Sequence, residues 1–340
     1  MQTRPLPTPY RQHGLTLIEL MVAMVIGLIM VLAATAALLL SRQGFNQVDA
    51  ASQLRDNARF ATSLIERLSV QTGYRDLLYA ATSRPPSTLG MTTERPNIFG
   101  FDNRTRSAGH KSYEASSSPR AANSLGYGSD ILVLRFQAAA TDLVGSTDAD
   151  KAMIDCMGHT PDTVMNDRYE RYSSIFHIAD RNGEPTLMCT RWPQADDYGT
   201  ADTQPLITGV ENFQVLYGID TTGKSTTLPD GTTVDEPDSV VDQYLPASQI
   251  TDASNPALTL TRWQQVRSLR IGMILRSAPG TAIGDTSATT LYPFGNSTTS
   301  KAMFASNSVD PGSVFTPPND GRLRQVVTFT VHLRNPQGDE

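Results

Sequence analysis

From Leu20 to Leu40 the chain runs through 21 consecutive residues without a formal charge, mostly Leu, Met, Val, Ile and Ala. At about 1.5 Å per residue, such a helix is long enough to cross a hydrocarbon layer about 30 Å thick. The pattern then changes. Val48, Ala51, Leu54, Ala58, Ala61, Ile65 and Leu68 recur at steps of three and four, while Gln53, Arg55, Asp56, Arg59 and Arg67 point the other way. This predicts an amphipathic continuation of about 30 residues, over 41–73, that lays one stripe against a packed layer.

Beyond Gly73 the helical period does not return. Residues 81 to 125 are rich in Ser, Arg, Pro, Gly and Asn and read as a long irregular excursion. Gly126-Tyr127-Gly128-Ser129-Asp130 lacks the glycine that a serine nucleophile's elbow needs after the serine, so it reads as a turn feeding a short apolar strand, Ile131 to Phe136. Ser173 to Ala179 and Thr186 to Thr190 flank Arg181-Asn182-Gly183, a hairpin signal. Phe213, Val215, Tyr217 and Ile219 alternate with polar or smaller neighbours, as do Leu269, Ile271, Met273 and Leu275, and then Val327, Phe329, Val331 and Leu333. Period-two alternation without interleaved helices predicts an antiparallel sheet wetted on one face, and so an α+β fold over residues 74–340.

Charge narrows the functions available. Of a net charge of -6, the first 40 residues contribute Arg4, Arg11 and Glu19, leaving the remainder acidic. Its few lysines (Lys111, Lys151, Lys224, Lys301) form no cluster, so no nucleic-acid surface is expected. The basic flank of the apolar run, Arg4 and Arg11 with His13 and no acid, holds the amino terminus in the cytoplasm and sends the bulk of the chain across the membrane, to the periplasmic or extracellular side. A cleaved secretory signal is the rival reading, because Ala33 to Ala37 offers small residues. The apolar run is longer than such signals use, and it carries Glu19 at its cytoplasmic edge, a costly placement that asks for a function.

Candidate chemistry is sparse. Cys156 and Cys189 are the only cysteines; outside the cytoplasm they would form a disulfide. Two buried thiols, or a metal site with His159 and His177, remain alternatives. The five histidines fall in no hydrolase or zinc-peptidase pattern, and no phosphate loop or dinucleotide fingerprint is present, so an enzyme is not expected. The loop with Asp220, Asp230, Asp235, Glu236, Asp238 and Asp242 fits no EF-hand spacing. It is read as a solvated loop, with calcium as the alternative and no other cofactor expected.

Gly14-Leu15-Thr16-Leu17-Ile18-Glu19-Leu20 resembles the type IV prepilin motif. The resemblance implies that a dedicated prepilin peptidase removes a leader, residues 1–14, by cutting between Gly14 and Leu15 and then methylates the new terminus. It further implies that residues 15–40 are both membrane anchor and assembly helix, and that Glu19, fifth in the mature chain, pairs with the Leu15 amine of a neighbouring subunit. Leu15 departs from the usual phenylalanine, and no proline interrupts the helix before Pro85. Three later stretches, Ile207 to Gly218, Trp263 to Ser277 and Arg324 to Asn335, resemble PilW-type minor pilins. That resemblance implies a long amino-terminal helix packed on an antiparallel sheet with long loops. It also implies a non-catalytic subunit that primes pilus assembly at or near the tip and supports twitching motility and adhesion. The expected partners are other minor pilins, the major pilin and a tip adhesin. A J-type pseudopilin of a type II secretion system, or a membrane-tethered periplasmic binding protein, are the alternatives.

Overall fold

The computed structural model describes residues 14–76, 95–107, 118–142, 146–165, 171–191, 201–221, 224–227, 233–236, 238–282, 289–296 and 310–337, the backbone alone for 224–227 and 233–236. The chain divides into two compact units, Met1–Asp49 and Ala50–Glu340. Helix α1, Leu17–Gln71, contributes to both.

In the first unit α1 is apolar on every side, and residues 14–43 are exposed throughout. It is long and apolar enough to cross a membrane.

In the second unit α1 becomes one-striped. Leu54, Ala58, Ala61, Ile65 and Leu68 are buried in the main core with strand residues such as Ile131, Val133, Phe213 and Val215. Val48, assigned to the stripe by its spacing, is instead exposed. The helix stops at Gln71, and Gly73 (φ 80°) follows in the left-handed region that glycine adopts without strain.

Two antiparallel sheets and a separate hairpin stand where one sheet was expected. The first sheet joins β1 (Ile98–Phe101), β2 (Ile131–Phe136), β3 (Tyr172–Arg181), β4 (Glu184–Arg191) and β5 (Asp202–Thr208) in sequence order. Its β3–β4 turn places Asn182 (φ 57°) and Gly183 (φ 81°) in the left-handed region, as a tight hairpin requires. The second sheet contains β6 (Val210–Ile219), β9 (Gln243–Leu245), β10 (Val266–Arg276) and β11 (Arg324–His332), in the order β11-β10-β6-β9. The remaining hairpin pairs β7 (Lys224–Thr227) with β8 (Thr233–Glu236).

The excursion expected over 81 to 125 contains β1, whose four residues are all buried and so carry no alternation to read. The one-face-wet expectation holds for β11, where Thr328, Thr330 and His332 are exposed, and fails for β2 and β6, which are buried along their full length. Loops close the second face. Gln214 donates to the Gly128 carbonyl, Asn212 Nδ2 donates to the Gly312 carbonyl at 3.3 Å, and a Cβ on Gly272 would meet Pro293 at 2.7 Å.

Between β5 and β6 the chain crosses from one sheet to the other at a single residue, Gly209 (φ 88°). Its amide donates to the Pro185 carbonyl of the first sheet, and its carbonyl accepts from Arg276 N of the second. A Cβ there would lie 2.5 Å from the Arg276 carbonyl oxygen, so only glycine fits.

Candidate functional site

The acid at the head of the membrane helix is already engaged within its own chain. Thr16 precedes the first helical residue, and its Oγ1 accepts from Glu19 N at 3.3 Å. The Glu19 carboxylate in return accepts from Thr16 N and Thr16 Oγ1, each at 2.9 Å. This reciprocal pair satisfies amides that the first helical turn leaves without partners. Thr-x-x-Glu is legible in the sequence as a capping box, a signal overshadowed by the prepilin motif that contains it. Leu15 stands exposed ahead of the cap; Gly14 is exposed too, with open space around it.

The three strand stretches that share the second resemblance meet through their charges. Glu211 of β6 accepts from Arg276 Nη1 of β10 at 2.8 Å and from Arg324 Nε of β11 at 2.6 Å. Glu184, opening β4 in the other sheet, accepts from Arg276 Nη2 and Arg322 Nη2, both at 2.8 Å, while Asp320 pairs with Arg324 Nη2 at 2.8 Å. Arg324 and Glu211 are nearly fully buried, so breaking this network by removing one member leaves a desolvated charge behind. Burial pushes the Glu184 and Asp320 carboxyls up, but hydrogen bonds from Arg322 and Arg276 to Glu184, and from Arg324 to Asp320, outweigh it and hold both below the ordinary carboxylate range.

The family Type IV Pilus-assembly protein W matches residues 175–335, and the Prokaryotic N-terminal methylation motif matches residues 9–35. Together the two matches support a pilin of the PilW type. Its W-family region takes in β6, β10 and β11, the Glu211–Arg276–Arg324 contacts and the Gly209 crossing. Among solved structures, a type IV-like pilin from Thermus thermophilus is similar at 13% identity, over 84% of this chain and 98% of that one, with a TM-score of 0.39. No curated protein matches the chain.

Cys156 and Cys189 are bonded, with their Cα atoms 5.9 Å apart, so neither sulfur is available to a metal shared with His159 and His177. The bridge ties the 156–159 turn to β4. His177 Nε2 instead hydrogen-bonds Thr190 Oγ1 at 3.0 Å, and His159 Nδ1 lies 3.7 Å from Asp155. Ser129 and Asp130 of the glycine-flanked turn serve the backbone: Ser129 Oγ accepts from Phe213 N at 3.3 Å, and Asp130 accepts from Asn103 N and Val215 N at 3.0 and 2.8 Å.

The acidic loop does not gather as a ligand set among the described residues. Asp220 is buried, accepts from Ser239 N and pairs with Arg267 at 3.5 Å, while Asp242 accepts from Thr221. Asp230, and the side chains of Asp235 and Glu236, lie outside the described residues. A different set does converge. Asp102, Asp130 and Asp310 bring carboxylate oxygens within 4.8 Å of one another. Spacing gave no hint of it, since the three acids sit in turns far apart in the chain.

Proposed function

We propose that this pilin is a minor subunit of a type IV pilus, cut after Gly14 and held in the inner membrane by residues 15–40 until it joins a filament at or near the tip, where it primes assembly. The reading includes no catalysis. The observation that carries it is the head of α1: a carboxylate fixed by its own cap, leading an apolar helix with no covered side. Lipid can cover that surface, and so can the helices of neighbouring subunits, which makes the same segment an anchor before assembly and a packing element after it.

In this reading the Glu19 carboxylate, held in place by Thr16, presents its remaining lone pairs to the Leu15 amine of an adjacent subunit. The two charges are then neutralised together rather than desolvated apart. The sheet unit, with its cross-linked arginines, forms the surface that other minor pilins, the major pilin or a tip adhesin recognise. Deletion of the gene is expected to abolish surface pili and twitching, both restored by the wild-type chain and not by Glu19→Ala. Normal piliation in the deletion strain overturns the proposal. The mature protein is expected to begin at an N-methylated Leu15 on amino-terminal sequencing, and retention of residues 1–14 overturns the processing step.

A further inference from the structure

Asp102 follows β1, Asp130 precedes β2, and Asp310 lies in the segment ahead of β11, so the three acids enter one small volume from three directions. Two of them are held by backbone amides. Asp102 accepts from Ala247 N and Ser248 N at 2.9 and 2.7 Å, one bond to each oxygen, and Asp130 spends one bond per oxygen on Asn103 N and Val215 N. Two glycines bring the segments of Asp130 and Asp310 together: a Cβ on Gly128 would come within 2.4 Å of Gly312 Cα. Asn103, in the left-handed region at φ 49°, completes the frame by accepting from Gly128 N at 2.9 Å.

Two observations beyond the clustering point to a ligand. Asp310 is completely buried, yet neither of its oxygens has a hydrogen-bond partner. The Tyr217 hydroxyl, also buried, is likewise unpartnered and senses the charge of all three carboxylates. Gly100 makes room for that hydroxyl, since a Cβ there would lie 2.0 Å from Tyr217 Oη. A buried acid with both oxygens unspent is expensive unless something pairs with it. Arg120, which acts on Asp130, instead places its guanidinium on the carbonyls of Arg104, Leu125 and Ile178.

We propose that Asp102, Asp130 and Asp310 bind a hard divalent cation, of which calcium is the best-fitting member. The donor set is oxygen only, as calcium requires. Oxygens within 4.8 Å of one another can share one ion, and calcium, which takes about six to eight oxygens in flexible geometry, accepts an irregular carboxylate set more readily than magnesium, which demands a near-ideal octahedron. Remaining positions go to water, one molecule of which can accept from the Tyr217 hydroxyl. The ion would clamp the ends of β1 and β2 to the segment preceding β11, and its binding would raise stability by mass action. This site is separate from the acidic loop over 220–242 and does not depend on the pilus reading.

The test uses the full-length protein in detergent, stripped with a chelator and then titrated with calcium chloride. Calcium is expected to raise the melting temperature by roughly 5 °C at saturation, with a saturable heat in calorimetry. Asp310→Asn, which keeps the shape and removes the charge, is expected to fold at least as stably as the stripped wild type and to lose the calcium response. Terbium provides a second readout, since Tyr217 and the Trp263 ring packed on it, centroids 4.7 Å apart, would sensitise its luminescence; the signal should be displaced by calcium and lost in Asp310→Asn. No shift and no heat with wild-type protein overturn the proposal, as does an undiminished response in Asp310→Asn. A response to magnesium equal to that for calcium overturns the calcium assignment.

Discussion

Helix α1 has two halves that differ in what covers them. Up to Leu40 it shows leucine, isoleucine and methionine on all sides, with Leu28 at 62% and Ile29 at 60% exposure, and no described residue of its own compact unit shelters them. From Ala50 to Gln71 the apolar residues narrow to one stripe, and Ile65 is fully buried against the strands. Both halves are regular helix. The first depends on a solvent or partner outside its unit, whereas the second derives its stability from tertiary contacts, the usual source of helical stability in proteins.

The largest expected effect falls on the sheet unit. Arg324→Ala removes the shared partner of Glu211 and Asp320 and is expected to cost about 3 kcal/mol, the lower end for a broken buried pair, because the nearly buried Glu211 keeps only Arg276. Thermal unfolding followed by near-ultraviolet circular dichroism of the detergent-solubilised protein measures it, and a change under 1 kcal/mol, by the same reasoning, would mean the network is solvated. Reduction of Cys156–Cys189, which spans 33 residues, is expected to cost about 3–4 kcal/mol in the same assay.

The comparison within α1 is sharpest as a matched pair. Ile65→Ala is expected to cost about 2–5 kcal/mol, while Ile29→Ala, the same truncation in the exposed half, should leave the unfolding of the sheet unit unchanged. Equal losses would break the division between the halves. Smaller still is the acid limb. Glu184 and Asp320 are held below their ordinary values of 4.5 and 3.8, so their contribution is complete above those values and fades as pH falls below them. Unfolding curves taken from pH 7 to pH 2 should show that loss, and Arg324→Ala should remove the Asp320 part of it while leaving that of Glu184. At the other end of the chain, Thr16→Ala is expected to cost only about 1 kcal/mol, read as faster amide exchange at Leu17 to Glu19 with no change in the melting of the sheet unit.

Much of the architecture was readable in one dimension because its signals are local. The apolar run, the stripe from Leu54 to Leu68 and the Asn182-Gly183 turn each depend on residues within a few positions of one another, and each appears in the structure where the pattern put it. Strand β1 was missed because a strand buried on both faces carries no alternation. The split into two sheets was missed because it turns on Gly209, which looks like any glycine until Pro185 and Arg276 close on it from opposite sides.

By itself the sequence determined that this protein has a processed-looking amino terminus, an apolar helix with an acid at its head, and a mostly antiparallel domain behind it. Those are properties of adjacent residues and of period. Which charges meet was decided only in three dimensions: Glu211 finds Arg276 and Arg324, and Asp102 finds Asp130 and Asp310, across separations that no periodicity encodes. The physical reason is that long-range pairing is set by sheet register and by which loop closes over which face. Both are fixed by packing the whole unit rather than by any segment of it.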